Sequence, residues 1–379
     1  MAQASLALGG LQARSPKSLA LMGALFSGDS EPAVSAGGTC LPPRERKSDK
    51  PAPNLVPGLI PPSGAWRGTT NGGLPKQGPF GFKKEYGLNC HIYRTFCTPR
   101  NWQLKEGTKR WVQRGGILWY NIQPVNWAKA ASAEYDEHIA NYASEVGSLA
   151  PAQVMVCVGH EPDGHMEGGA VKTDVFGTAD EYKAMWRNFV DKFTQMGVTN
   201  VVWVMDYSRG IHKEHGFKSV VQLWPGDDII GWVFFNCFGC HPSHKKRFHY
   251  TTIVSGIIDK LTEASGPGHD FLSKPWGIGA HAPKDKCGDG TPMTTEDRVL
   301  HFKQIAESMN DPKFEKIKAY VYYSGQVISD DIRPSYTEFI QLPTFVDLDG
   351  AIDPDSEDDG TEAPPDEVQD DMGGGDDDE

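Results

Sequence analysis

The sequence predicts a (β/α)8 barrel, and three observations support this. Eight short apolar or β-branched runs recur along the middle of the chain. Helix-like segments lie between them, and strands that are apolar throughout are typical of a parallel sheet covered by helices. A single barrel commonly takes about 250 residues, which a chain of 379 residues can hold with long ends to spare. The runs are residues 58–66, 88–96, 115–122, 152–159, 199–206, 228–235, 273–280 and 316–324.

The clearest helical signal follows the fourth run. Apolar residues recur there at helical spacing and form one stripe. Thr178 and Glu181 have the spacing of a capping box, and Gly197 marks the end of the helix. The stripe consists of Tyr182, Met185, Trp186, Phe189, Val190 and Phe193.

Composition divides the chain into three zones. Residues 1–55 are rich in Pro, Gly and Ser, residues 56–345 form the predicted barrel, and residues 346–379 form an acidic tail too poor in apolar residues to fold. The formal charge is −13, but the tail holds sixteen Asp and Glu and no Lys or Arg, so the rest carries a net charge of about +3. We therefore expect no nucleic-acid partner. The terminal segments are candidates for docking protein partners.

The sequence also predicts a soluble protein. No apolar run reaches the roughly 18 residues of a membrane helix, so membrane insertion is not expected. The amino-terminal stretch lacks the continuous apolar segment and small-residue cleavage site of a secretory signal, which leaves no clear signal peptide. Seven cysteines, an odd number spread over a long chain, indicate mostly free thiols.

Polar and aromatic residues follow the predicted strands. Functional residues of such barrels lie at the carboxyl ends of the strands, here called the mouth. Glu161 and Asp206 are the candidate catalytic residues at the mouth, after the fourth and in the fifth strand. Polar groups beside aromatic rings suit the binding of sugars, so we expect a carbohydrate ligand. The candidate substrate-binding residues are His160, Trp66, Arg94, Tyr120, Asn236, His281 and Tyr323.

Three quoted stretches resemble one known family. The phrases GHEPDG, GTADEYKAMWRNFVDKFTQMGVTNVVWVMDYS and WPGDDIIGWVFFNCFG, in this order, are similar to the catalytic half of glycoside hydrolase family 26, the β-mannanase type, and to related phage-encoded barrels. The resemblance covers roughly residues 58–325. It implies a (β/α)8 fold, a polysaccharide ligand and Glu161 as the acid/base.

The seventh strand departs from the family pattern. The family carries a nucleophilic Glu where this chain reads KPWGIGAHA, so Ala280 stands in its place. Since Ala cannot attack an anomeric carbon, retaining hydrolysis with two carboxylates about 5 Å apart is not expected. The sixth-strand stretch FFNCFG also departs from the family's pattern. An inverting base could come from Asp206, Asp163 or Glu167, or Asp206 could instead pair with Arg209 or Arg94.

A second cluster, CFGCHPSH, has ligand types that zinc prefers. Cys237, Cys240, His241 and His244 could bind zinc, with Cys287 or His281 completing the set. The alternative is that these cysteines are free, and a second C-x-x-C is absent. Haem attachment at the CxxCH string would need export and a haem pocket. We therefore expect neither a metal nor a cofactor.

Three functions are compatible with the sequence. The first is a polysaccharide-binding barrel with impaired or lost hydrolysis, for example a virion or tail component of a phage. The second is an active glycosidase, endo-mannanase-like, with Glu161 as acid and a relocated carboxylate as base. The third is a scaffold subunit of a larger assembly. Fold resemblance cannot choose among them, because function depends on the site.

Overall fold

The computed structural model describes residues 59–70, 78–124, 126–166, 175–212, 219–239, 249–286 and 290–346. Eight parallel strands pair in chain order, and the last pairs with the first to close a barrel. The predicted fold class is confirmed. The strands are β1 (Trp66–Thr70), β2 (Ile92–Cys97), β3 (Ile117–Ile122), β4 (Val154–Val158), β5 (Val201–Tyr207), β6 (Trp232–Phe238), β7 (Trp276–Ala282) and β8 (Ile317–Tyr322).

Helices alternate with the strands along the chain. Among the described residues they are α1 (Gly78–Tyr86), α2 (Glu106–Gln113), α3 (Trp127–Ala130), α4 (Asp136–Gly147), α5 (Pro162–His165), α6 (Ala179–Gln195), α7 (Tyr250–Ala264), α8 (Thr295–Ser308) and α9 (Arg333–Ile340). Short 3₁₀ turns occur at Ala133–Tyr135, Arg209–His212, Phe271–Ser273 and Pro312–Phe314. The predicted terminal zones 1–55 and 346–379 lie outside the described residues, apart from Val346.

The first strand does not lie where the sequence predicts it. The expected run 58–66 ends at Trp66, where β1 begins. Pro61 and Pro62 lie in that run, and proline cannot donate a hydrogen bond to a strand ladder. The β-branched Thr69 and Thr70 at the other end of β1 suit a strand better.

Side chains alternate between two apolar layers, because successive residues of a strand point to opposite sides. One layer lies between the strands and the helices, and it includes Tyr120, Met205 and Phe235. Which layer a side chain enters therefore decides whether it can reach the mouth. The barrel itself is filled by a second cluster that includes Ile92, Trp119, Met155, Val204, Phe234 and Val321.

Strands β6 and β7 are irregular near their carboxyl ends. Phe235 pairs with Ile278 and Cys237 pairs with His281, so one residue of β6 lies opposite two of β7. An extra residue of this kind changes the direction in which the following side chains point. The two residues of β7 concerned are Gly279 and Ala280, and the resemblance to family 26 places the nucleophile of that family at the second of them.

Helix α6 confirms the predicted stripe and capping box. All six residues of the stripe are buried, and Thr178 and Glu181 exchange hydrogen bonds at the helix start. The hydroxyl of Tyr182 donates to the carbonyl oxygen of Gly159 at 2.9 Å, with that of Val158 at 3.2 Å. The helix thus holds the segment that follows β4.

Two further sequence predictions concern thiols and membranes. Cys90, Cys97, Cys157 and Cys237 are buried and free, as expected. Within the described ranges, none of the helices is long and apolar enough to cross a membrane.

Thr178→Ala is expected to lower the free energy of unfolding by about 1 kcal/mol, because the helix loses its capping box. Urea unfolding followed by circular dichroism measures this change. Thr194→Ala in the same helix is the control. Its hydroxyl donates only to the carbonyl oxygen of Val190 one turn earlier, and its loss should change stability by less than about 0.5 kcal/mol. Equal effects of the two substitutions would contradict the capping role.

Candidate functional site

Glu161 lies at the mouth in an uncommon backbone conformation. It follows β4 and Gly159, and its φ of 51° makes it a non-glycine residue in the left-handed region. Such a conformation costs about 1–3 kcal/mol and persists where neighbours fix it. One of these neighbours is Asp206, whose carbonyl oxygen accepts the Glu161 N–H at 2.8 Å. Pro162 then begins α5 directly after Glu161.

The Glu161 carboxylate is held by Asn236 of β6. The Asn236 amide donates from Nδ2 to Oε1 of Glu161 at 2.5 Å. Asn236 is buried at 3% exposure, whereas Glu161 is partly exposed. Glu161 can therefore reach a ligand at the mouth while its orientation is set from inside the barrel.

An ion pair lies in the centre of the barrel beneath Glu161. Nη2 of Arg94 lies 2.5 Å from Oδ2 of Asp206, and the two side chains are 1% and 0% exposed. Arg94 also donates from Nη1 to the carbonyl oxygen of Gly279 at 3.0 Å. Its guanidinium lies 4.1 Å from the centroid of Trp119 and 4.8 Å from that of Phe96, as in cation–π contacts.

Asp206 holds a proton more readily than an ordinary aspartate does. Burial raises its pKa to about 7, with a further upward contribution from the charge of Glu161, while Arg94 opposes the change. The Asp206 carboxyl group therefore titrates near neutral pH.

Strand β7 brings no carboxylate to this centre. A side chain on residue 279 would place its Cβ 2.6 Å from Oδ1 of Asp206 and 2.9 Å from Oδ1 of Asn236, so only glycine fits without movement. Ala280, next along the strand, is buried at 4% exposure. Asp206 and Asn236 therefore occupy the space that a side chain on residue 279 would enter.

Asp163 is a second buried carboxyl group beside Glu161. Its oxygens accept the Ser208 N–H at 2.8 Å and the Ser208 hydroxyl at 2.5 Å. Burial raises its pKa to about 6, although the hydrogen bonds from Ser208 oppose the change. Asp163 thus ties α5 to the end of β5.

His160 lies inside the mouth, next to Glu161 in the chain. Its Nδ1 is 2.8 Å from the Asn121 amide nitrogen, and its ring packs edge-on against Phe96. Burial and the nearby Arg94 lower the pKa of His160 well below its usual value. The imidazole is therefore neutral, and its Nδ1 accepts the hydrogen bond from Asn121.

The structure brings most predicted site residues together. Glu161, Asp206, His160, Arg94 and Asn236 form one connected group at and below the mouth. Of the two alternatives open for Asp206, base or ion-pair partner, the pairing with Arg94 is observed.

Three predicted site residues lie elsewhere. Trp66 begins β1, at the opposite end of the strand from the mouth, and its Nε1 donates to the carbonyl oxygen of Leu59 at 2.6 Å. Tyr120 points out of the barrel, where its hydroxyl donates to the carbonyl oxygen of Trp102. The predicted placement of Trp66 at the mouth is wrong because β1 begins at this residue and does not end there. That of Tyr120 is wrong because its side chain points to the other side of the strand.

His281 also points away from the barrel interior. Its ring packs against His301 of α8 and Phe339 of α9, and its Nδ1 lies 3.4 Å from Nε2 of His301. The bulge in β7 shifts the facing of this part of the strand, so the predicted placement of His281 at the mouth is wrong.

Tyr323 follows β8, at the carboxyl end of that strand. Its ring packs edge-on against Phe238 at the end of β6, with 5.6 Å between centroids, and both rings are partly exposed. The ammonium of Lys284 lies 5.9 Å from the Phe238 centroid. We name Phe238 and Tyr323 the rim pair.

Sequence reasoning missed four residues of the centre. Trp119 and Asn121 flank Tyr120. Because successive residues of a strand point to opposite sides, an outward Tyr120 places both neighbours inside the barrel. Phe96 lies two residues after Arg94 on the same side of β2. Gly279 gives no sequence signal, since its role depends on side chains from β5 and β6.

The predicted zinc ligands divide between described and undescribed residues. Cys237 is buried in the layer between strands and helices, and burial raises its pKa to about 12, so it is a neutral thiol. Within the described part of the chain, no group of three or more His, Cys, Asp or Glu residues could hold a metal ion. The positions that lie outside the described residues are Cys240, His241, His244 and Cys287, as well as the alternative base Glu167.

Comparison with known proteins finds similarity in structure only. No model of a known family matches the chain, and neither does a curated protein sequence. The family 26 domain of an endo-β-mannanase/endo-β-glucanase from Prevotella bryantii is 12% identical with a TM-score of 0.54, over 76% of this chain and 91% of that one.

Two other barrels give similar values. A modular endo-β-1,4-mannanase from Cellulomonas fimi is 14% identical with a TM-score of 0.56, over 76% of this chain and 74% of that one. A family 26 β-mannanase from Bacteroides ovatus is 14% identical with a TM-score of 0.53, over 76% and 91%. The chain therefore has a barrel like those of glycoside hydrolase family 26.

Arg94→Met is expected to lower the free energy of unfolding by about 3 kcal/mol near pH 8, because Asp206 is then left buried without its partner. Guanidinium unfolding measures the loss. The control is the double variant Arg94→Met/Asp206→Leu, which removes both charges and should recover more than half of it. A cost below about 1 kcal/mol for Arg94→Met would show that the ion pair does not stabilise the centre.

Proposed function

From a barrel of the family 26 type, we propose that the mouth binds a polysaccharide and does not hydrolyse it by the retaining mechanism. One observation carries the proposal. Glu161 is a partly exposed carboxylate at the mouth, and β7 offers only Gly279 and Ala280 where a second one would be needed.

The retaining mechanism needs two carboxyl groups about 5 Å apart, one as acid and one as nucleophile. Asp206 and Asp163 lie close enough to Glu161 for its charge to raise their pKa values, but both are buried and bonded within the protein. A nucleophile must contact the anomeric carbon. Asp206 is 0% exposed and paired with Arg94, so it is not available for that attack.

The mouth nevertheless has the groups that bind sugars. Binding sites combine apolar and aromatic walls with a few placed polar groups. The rim pair supplies aromatic faces for sugar C–H groups, and Glu161 and Asn236 supply hydrogen-bonding atoms for hydroxyls. The similar barrels from Cellulomonas fimi and Bacteroides ovatus are named mannanases, so mannan is the first ligand to test.

One observation favours a second function, the active glycosidase with a relocated base. Oδ1 of Asp206 reaches the space beside Gly279, and Asp206 has a pKa of about 7. An inverting enzyme needs its base roughly 6.5–9.5 Å from the acid, with room for a water molecule between them. This function requires Asp206 to leave Arg94 when substrate binds.

The proposal also has an assembly component. Docking of the terminal segments 1–55 and 346–379 on other proteins, for example in a virion, is supported by their composition alone. A chain that neither binds nor cleaves glycans would be explained best as a scaffold of such an assembly.

Glu161→Gln is expected to weaken mannan binding about tenfold, because hydrogen bonds to a charged acceptor contribute roughly 1.5–3 kcal/mol and the neutral amide forms weaker ones. Affinity electrophoresis and calorimetry measure binding, and a reducing-sugar assay measures cleavage. The wild type should bind without releasing sugar. Glu263→Gln, on the exposed surface of α7, is the control and should bind like the wild type.

The outcomes separate the candidate functions. Sugar release by the wild type that disappears in Glu161→Gln and in Asp206→Asn would establish the relocated base and overturn the binding proposal. Neither binding nor release on a panel of mannans and bacterial wall polysaccharides would also overturn it, in favour of the scaffold.

A further inference from the structure

Two buried oxygen atoms face the same point of the barrel. Oδ1 of Asp206 and Oδ1 of Asn236 lie 2.6 and 2.9 Å from the position that a Cβ on residue 279 would take, so at most 5.5 Å separates the two oxygens. Neither oxygen makes a hydrogen bond within the described part of the chain. A buried acceptor without a donor costs free energy, and one proton shared between these two would remove both costs.

We propose that Asp206 is a positioning residue: its protonated carboxyl group donates from Oδ1 to Oδ1 of Asn236 and so fixes the amide nitrogen of Asn236 toward Glu161. Oδ2 of Asp206 still accepts from Arg94 in this state, so both oxygens of the Asp206 carboxyl group and the oxygen of the Asn236 amide have a partner. The ion pair becomes a charge-assisted hydrogen bond.

The NH₂ group of Asn236 can donate to Glu161 or to Asp206. When Asp206 loses its proton to solvent, its Oδ1 becomes an acceptor that competes with Glu161 for the single NH₂ group. Rotation of the amide by half a turn would satisfy Asp206 and turn the Asn236 oxygen toward Oε1 of Glu161. Glu161 would then lose its donor, and with it the orientation that the mouth presents to a ligand.

The charges around Asp206 are consistent with a proton held near neutral pH. Arg94 favours the ionised form, whereas burial, Glu161 and Asp163 favour the neutral form and together raise the pKa to about 7. Two further titratable groups interact electrostatically with Asp206, namely Cys157 of β4 and Tyr182 of α6. Burial raises the pKa of both, so both are neutral.

The first test needs no ligand. In protein labelled with ¹⁵N-asparagine, the side-chain NH₂ signals of Asn236, identified by their loss in Asn236→Ser, should shift between about pH 5.5 and about pH 8 and follow one titration near pH 7. Asp206→Asn should abolish that titration, since its amide donates at every pH. Asp163→Asn removes the other buried carboxyl group beside Glu161, and the titration of the Asn236 signals should persist in this variant. Signals of Asn236 that do not move with pH in the wild type would overturn the proposal.

Thermal unfolding supplies an independent readout with a defined sign. The folded state holds the Asp206 proton up to about pH 7, whereas an unfolded aspartate loses it near its ordinary pKa of about 3.9. Between about pH 3.9 and about pH 7, the wild type should therefore lose stability relative to Asp206→Asn as the pH rises. Above about pH 7 the difference in stability between the two proteins should stay constant. A melting-temperature difference that is constant from about pH 4.5 to about pH 8 would also overturn the proposal.

The second test joins the inference to the proposed function, on which this part rests. Mannan binding by the wild type should weaken about tenfold between roughly pH 6 and pH 8, because loss of one proton with a pKa near 7 changes affinity by at most tenfold per pH unit. Binding by Asp206→Asn should be independent of pH in that range. If the wild type binds at no pH, the glycan function fails while the Asn236 titration still decides the role of Asp206. If it binds with the same affinity at both pH values, the positioning role fails alone.

Discussion

The Arg94–Asp206 ion pair lies in the middle of a closed barrel, where burial of a charge has a high desolvation free energy. Removing two ions from water costs several kcal/mol for each, and their mutual attraction repays this only when the remaining polar atoms are bonded. Arg94 meets the condition in part: Nη1 donates to the Gly279 carbonyl oxygen and the guanidinium lies over two aromatic rings, whereas Nε makes no hydrogen bond within the described residues. Through the carbonyl oxygen of Asp206, the pair also holds the turn that presents Glu161. Strands β2, β5 and β7 are thereby joined at one point beneath the mouth.

The three carboxyl groups of the site differ by environment. Burial disfavours the charged form, and each neighbour either restores or further opposes it. Glu161 is partly open to solvent, Asp163 is enclosed by the end of β5, and Asp206 is enclosed by the barrel itself. Only the first can meet a ligand without a rearrangement. Under the proposed function, Glu161 is therefore the carboxyl group that contacts the ligand, while the two buried groups act on it from inside the protein.

The sequence predicts the barrel and the location of Glu161 because both depend on local signals. Apolar runs give the strands, and a Gly-His-Glu-Pro turn after the fourth run gives the mouth. Side-chain direction is harder to predict, because a shift of one residue along a strand reverses it. The sequence predicts Tyr120 at the mouth, although its neighbours Trp119 and Asn121 are the residues that point into the barrel.

Other features depend on contacts across the sheet, which a single sequence does not contain. The bulge that turns His281 outward arises from the pairing of β6 with β7. The start of β1 at Trp66 depends on its pairing with β8. The ion pair joins residues 112 positions apart, and Arg209 was an equally open partner for Asp206 on the sequence alone.

The crowding beside Gly279 couples three strands of the barrel. Any side chain on residue 279 would enter space that β5 and β6 already fill with Asp206 and Asn236. A larger residue at this position would require those two strands to change as well, and a charged one would be buried without a partner. We therefore expect residues 206, 236 and 279 to vary together, not one at a time, in related sequences.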